Sequence, residues 1–234
     1  MKHIRRFNDT NELKTALAND EYIEPWLSYC NNDNQNNTLY RYNYKCDYDN
    51  MFIDLGLPSG TLWGAYNLGA NNIYQLGNIY AWGEIIPKTE SSWDNYKFGT
   101  QTNLTKYNDS DSLTVLQDSD DIVNLTLGGD ARIPTLTQTL ELIDNTSGDY
   151  TKLNSENFIV LTSNINGKSI YFKLYKSTAT NRLYGTWTST LSSSNKQAAN
   201  GFTMHSESGF WSRETTTFYR WALFPIRPVV ALVK

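Results

Sequence analysis

The chain has 234 residues, a formal net charge of −4 and 19% charged residues, against 39% hydrophobic and 14% aromatic ones. With no basic block, nucleic-acid binding has little electrostatic support, and no apolar run is long enough for membrane insertion, so neither partner is expected. The 16 Tyr and 7 Trp imply a core of large amphipathic rings, each covering apolar area while keeping one polar atom.

The start, "MKHIRRF", is basic, but "NDTNELKTALAND" follows with no apolar core. No secretory signal is expected, and the chain is expected to be made in a cytoplasm and to stay there until something other than secretion releases it. Residues 9–19 predict one short helix, with Asp9 and Glu12 in capping-box spacing and Leu13, Ala16 and Leu17 on one face. Pro25 ends any helix, and "WLSY" and "TLYRYNY" predict a hairpin around an Asn-rich stretch. Residues 1–50 therefore read as an anchoring and oligomerisation arm, too small to own a core. Cys30 and Cys46 lie in it. Two cysteines set no disulfide framework and lack the other ligands of a zinc site, so free thiols are expected.

From Met51 the texture changes. "MFIDLGLPSGTLW" predicts a strand, a Gly-Pro turn and a second strand. "NIYAWGE" is the next strand candidate, and residues 91–121 are polar with little regular pattern. A short helix over Asp120–Leu127 would end at Gly128 and Gly129. The clearest helix is "PTLTQTLELIDNT", with a capping box at Thr135 and Gln138 and a stripe of Leu136, Leu140 and Ile143. Strands follow: "NFIVLTS", "SIYFKLY", "YGTWTST", "GFTMHS", "GFWSR" and "WALFPIRPVVALV", the first two joined by an Asn166–Gly167 turn.

The segments "FIDLGLPSGTLW", "NLGA", "YAWGE", "TKYN", "GGDARIPT", "WTST" and "IRPV" occur in that order. In this they resemble the "major paralogous" domain widespread in Bacteroidetes bacteria and their phages, a branch of the C-type-lectin-like folds. The resemblance covers residues 51–230, with Ala131 where the family usually has Trp. It implies an α+β, C-type-lectin-like fold over residues 51–234, short helices around small twisted antiparallel sheets. It also implies that the "DLGLPSGTLW" hairpin is central scaffold, with Trp63 in the core. The arm, "MKHIRRFNDTNELKTAL…YIEPWLSY", is similar to the leaders on structural proteins of Bacteroides-infecting tailed phages, including crAss-like phages.

Catalytic readings find little support. The histidines are His3 and His205, and no G-x-S-x-G pattern accompanies them. The cysteine-dependent oxidation of formylglycine-generating relatives is not carried over, since no Cys follows Cys46. Asp118, Asp120 and Asp121 read as helix-capping acids and not as a glycosidase pair, and no EF-hand loop is formed, so neither metal nor cofactor is expected. Glu84 and Arg132 are a candidate buried ion pair. Function is expected on residues 201–224, the late exposed face implied by the resemblance. It carries His205, Glu207, Arg213, Phe218, Tyr219, Arg220 and Trp221, with the stretch from Arg213 to Arg220 expected as a loop. Phe210, Trp211 and Trp221 can equally belong to the core.

The expected function is a non-enzymatic virion structural protein, a head fibre, decoration or adhesin, made in the host cytoplasm and ending on the virion. Its arm would hold other virion proteins and copies of itself in a dimer or trimer. Weak attachment to a host-surface glycan or protein would be summed over many copies. The alternative is a cell-surface or ligand-binding protein of a Bacteroidetes bacterium, against which the missing signal peptide weighs.

Overall fold

The computed structural model describes residues 51–175, 183–207 and 210–231. The predicted helix and hairpin of the arm, with His3, Cys30 and Cys46, lie outside the described residues.

Strands β1 (Phe52–Ile53) and β2 (Thr61–Gly64) pair antiparallel, with Ile53 opposite Trp63. Between them Gly56 (φ 68°) and Gly60 (φ 75°) take the left-handed backbone that glycine adopts without a Cβ penalty. The Gly60 N–H closes the turn on the Leu57 carbonyl at 2.8 Å. This turn is apolar because it is covered: Leu55, Leu57 and Trp63 are all buried in one cluster. Ser163 Oγ donates to the Leu55 carbonyl (2.6 Å) and Asn166 Nδ2 to the Asp54 carbonyl (2.9 Å), which ties the Asn166–Gly167 turn over the segment.

Strand β3 (Ile79–Tyr80) pairs with β11 (Phe224–Pro225). Strand β12 (Val229–Ala231) lies between β2 and β4 (Ala131–Arg132), so the central sheet has the order β1-β2-β12-β4. Two three-stranded antiparallel meanders complete the set. One is β5 (Thr146–Leu153), β6 (Glu156–Ser163) and β7 (Ser169–Lys173); the other is β8 (Leu183–Leu191), β9 (Ala198–Glu207) and β10 (Phe210–Tyr219). Strand β8 serves both cores. Trp187 joins Trp82, Tyr107 and Phe224 in one, and Tyr184 joins Trp63, Phe172 and Phe202 in the other. At Gly185 a Cβ would lie 2.6 Å from the Phe224 ring. Gly185→Val should therefore cost about 1–3 kcal/mol by overpacking, read as a lower urea midpoint with m unchanged.

Both predicted helices of this region form. The first, α1 (Ile122–Leu127), is capped by the Asp121 carboxylate, which accepts from the Val123 and Asn124 N–H groups, and it ends at Gly128. The second, α2 (Leu136–Asp144), has the Thr135–Gln138 capping box. Its buried face is rotated from the predicted stripe: Thr139 and Leu142 are inside and Leu140 is 41% exposed. Thr139 can be buried because its hydroxyl donates to the Thr135 carbonyl at 3.0 Å.

The α+β, C-type-lectin-like expectation of helices around small sheets is overturned. The described residues are 38% strand and 11% helical, with two α-helices and four small antiparallel sheets, so the fold is mostly β. The helix signals are genuine but local. The helices stop after six and nine residues, and the chain beyond Asn145 returns at once to sheet as β5.

Candidate functional site

Residues 91–121 carry little regular backbone, and rings and buried charges hold them in place of ladders. Phe98 meets Tyr107 edge-on at 5.4 Å, and Tyr107 meets Trp82 at 5.0 Å. Tyr96 donates its hydroxyl to the Trp82 carbonyl at 2.8 Å. Burial pushes the Tyr96 and Tyr107 hydroxyls well above their ordinary pKa. The buried Asp120 carboxylate accepts from Lys97 (2.7 Å), Lys106 (2.5 Å) and the Tyr107 hydroxyl (2.8 Å).

Burial by itself would raise Asp120, but those donors outweigh it and hold the group below the usual carboxylate range. Its stabilising effect is thus present above the unfolded value of about 4 and is lost as pH falls through the lower folded pKa. Asp121 has the opposite sign. Burial outweighs the N–H groups of Ile133, Asn124 and Val123 and raises it, so its ionisation opposes folding and acid relieves the strain. Asp120→Asn should flatten the acid limb of a stability–pH curve between pH 3 and 7 and cost about 1–3 kcal/mol at pH 7. Urea unfolding across that range measures both. A curve with an unchanged acid limb would remove Asp120 as its source.

Arg220 is fully buried, and among the described residues no carboxylate pairs with it. Its Nη1 donates to the carbonyls of Tyr107 (2.9 Å) and Lys196 (3.1 Å), its Nη2 to that of Lys106 (2.9 Å), and its Nε to the Tyr96 hydroxyl (3.2 Å). The guanidinium lies 5.4 Å from the Trp82 and Tyr96 ring centres. Predicted as an exposed contact, Arg220 is instead an internal clamp.

The other predicted face residues are not all brought together. The stretch expected as a loop is strand β10, paired with β9 as far as Tyr219 opposite Ala198. Thr215, Thr216 and Thr217 suit a pleated surface, which explains the difference. At its far end His205 is half-buried, with Nε2 3.4 Å from Glu214 Oε1. The side chain of Glu207 lies outside the described residues. Arg213 is half-buried and donates to the Thr146 hydroxyl (2.8 Å) and carbonyl (2.6 Å), tying β10 to the start of β5. Burial lowers its pKa. Phe218 packs 4.7 Å from Phe224 and 6.2 Å from Trp187, as a core ring.

Tyr219 and Trp221 do form a surface. Tyr219 is 46% exposed, stacks on Trp221 (6.3 Å, 15°) and meets Trp93 edge-on at 6.0 Å. The Trp221 Nε1 is enclosed and has no acceptor among the described residues. Trp93, in "SSWDNYKF", was not among the predicted residues, although a lone Trp in a polar run is itself a signal.

Beside this face lies a polar cleft of about 460 Å³ between residues 101–110 and 194–197. Gln101, Asn103, Ser110, Ser194, Asn195 and Gln197 are among its walls. The Arg220 N–H donates to the Gln197 carbonyl at 3.0 Å, so cleft and aromatic face adjoin through one backbone step. Sequence reasoning missed the cleft, because amides and hydroxyls in a loop carry no local mark of a site.

Other expected chemistry takes a different form. The Glu84–Arg132 pair is not made: Glu84 binds Lys88 at 2.7 Å and the Lys97 N–H, while Arg132 meets Asp118 at 3.5 Å. No group of His, Cys, Asp and Glu among the described residues is arranged to hold a metal ion, and no described helix is long and apolar enough to cross a membrane. No family model, curated protein or solved structure matches this chain.

Proposed function

We propose that this chain is a non-enzymatic attachment protein on the virion of a tailed phage that infects Bacteroidetes, and that it meets the host surface through Trp93, Tyr219 and Trp221. The observation that carries the reading is the exposed Tyr219 ring, stacked on Trp221 and edged by Trp93 at the end of a paired strand. Rings fixed before contact give area at low entropic cost. The phage setting draws on the ordered motifs and the arm-like leader in the sequence. Motif residues Trp63, Trp82, Trp187 and Arg227 are buried, so the contact face can vary without disturbing them. Residues 1–50 would moor the chain to virion proteins and to its own copies.

Labelled full-length chain should bind cells from a Bacteroidetes panel, and Tyr219→Ala or Trp93→Ala should each weaken binding by roughly fivefold or more. Equal binding by wild type and both variants would refute the face. Light scattering with and without residues 1–50 tests the mooring, and an unchanged monomer in both would refute it.

A further inference from the structure

We propose that the cleft between residues 101–110 and 194–197 is a subsite for an uncharged sugar unit, continuous with the Tyr219–Trp221 face; this rests on the attachment reading above. The lining fits a ligand with many hydroxyls and no charge. The charged side chains there, Asp109 and Lys196, come from opposite walls and lie 3.8 Å from each other, so the lining carries no net charge that would select an anion or a cation.

Apart from Leu104, the remaining side chains are neutral donors and acceptors. Thr102 and Asn103 are exposed, and their side chains make no hydrogen bond among the described residues. Asn195 uses Oδ1 to accept from the Gln197 N–H at 2.9 Å, which leaves its Nδ2 open. A carboxamide offers donors and an acceptor together and can meet a sugar hydroxyl in either role.

The walls are also held at a fixed spacing. Gln197 Nε2 reaches across to the Gln101 carbonyl at 2.9 Å. Beneath, one Arg220 nitrogen bonds a carbonyl from each wall, Tyr107 and Lys196. Little ordering of the cleft is then left for binding to pay. Tyr219 is next to Arg220 in the chain, and in the proposed arrangement its ring would cover the C–H face of an adjoining sugar, positive C–H edges against the negative face of the π-system.

The test is an array of neutral, sialylated and sulfated oligosaccharides probed with the full chain and with two variants. The first is Asn103→Ala with Asn195→Ser, in which serine keeps an oxygen for the Gln197 N–H. The second is Tyr219→Ala. The expected result is binding to neutral oligosaccharides that weakens about tenfold in the double variant, the equivalent of two hydrogen bonds, with an unchanged melting midpoint. Loss with Tyr219→Ala but not with the double variant overturns the cleft and leaves the aromatic face standing. Binding confined to sialylated or sulfated glycans overturns the uncharged class. Tyr219-dependent binding to cells with no binding anywhere on the array overturns the sugar and leaves attachment standing.

Discussion

Arg220→Met is expected to lower the unfolding free energy by about 3–5 kcal/mol at neutral pH. The side chain is completely enclosed and donates to three carbonyls and one tyrosine hydroxyl. Methionine fills much of the volume but leaves those acceptors facing a thioether. A buried acceptor without a donor costs about 1–3 kcal/mol, and partial relaxation or water entry keeps the total below the simple sum. Because the carbonyls belong to residues 106, 107 and 196, the damage should reach the cleft as well. Amide exchange across residues 101–110 should accelerate even where the variant remains folded. Equilibrium urea unfolding gives the first quantity, and a loss under 1 kcal/mol would mean that water replaces the guanidinium freely.

The second large effect is expected at Arg227, where Met should again cost about 3–5 kcal/mol. Its Nε donates to Asn67 Oδ1 (2.9 Å), Nη1 to the Gly64 (2.9 Å) and Ala65 (2.7 Å) carbonyls, and Nη2 to the Tyr171 carbonyl (2.8 Å). The guanidinium rests 4.3 Å from the Phe172 ring centre. Burial lowers its pKa, but an arginine starts high enough to stay charged at neutral pH. Arg227→Lys should recover less than half of the loss, because an ammonium on a flexible stem cannot reach these planar, divergent acceptors together. Near-wild-type stability in the lysine variant would show that charge alone, and not the fork, is what the site requires. Arg220 and Arg227 share no partner, so their costs should add. The sum approaches the whole stability of an ordinary domain, about 5–15 kcal/mol, and the double variant is expected not to fold.

Parts of the fold with a local signal were legible in the sequence. The Gly56 and Gly60 turn, the Asp121 and Thr135 caps and the Asn166–Gly167 hairpin each depend on residues within a few positions of one another. Strand β5 was not legible. "TSGDYTKL" has no clear alternation, and it is a strand because β6 pairs with it from Thr146 opposite Ser163 to Leu153 opposite Glu156. The α+β class failed for a related reason: capping boxes announce that a helix starts and say nothing about how soon it stops. At the site, Tyr219 and Trp221 stood out as aromatics two positions apart. The Trp93 edge and the amide walls did not, since they meet β10 only through tertiary contacts such as those of Arg220 and Tyr96. Arg220 itself was misread because a surface arginine and a carbonyl-bound one look identical in one dimension.

The position of β12 between β2 and β4 carries a consequence for biogenesis. The middle of the central sheet is filled by Val229–Ala231, while the strands on either side are synthesised about 100 residues or more earlier. Until the ribosome has passed Ala231, β2 and β4 each wait with an open hydrogen-bonding edge, the kind of edge that recruits other chains. Nascent or prematurely terminated copies should therefore be caught by chaperones or precipitate, and insertion of β12 between β2 and β4 should be the step that commits the molecule to its native state.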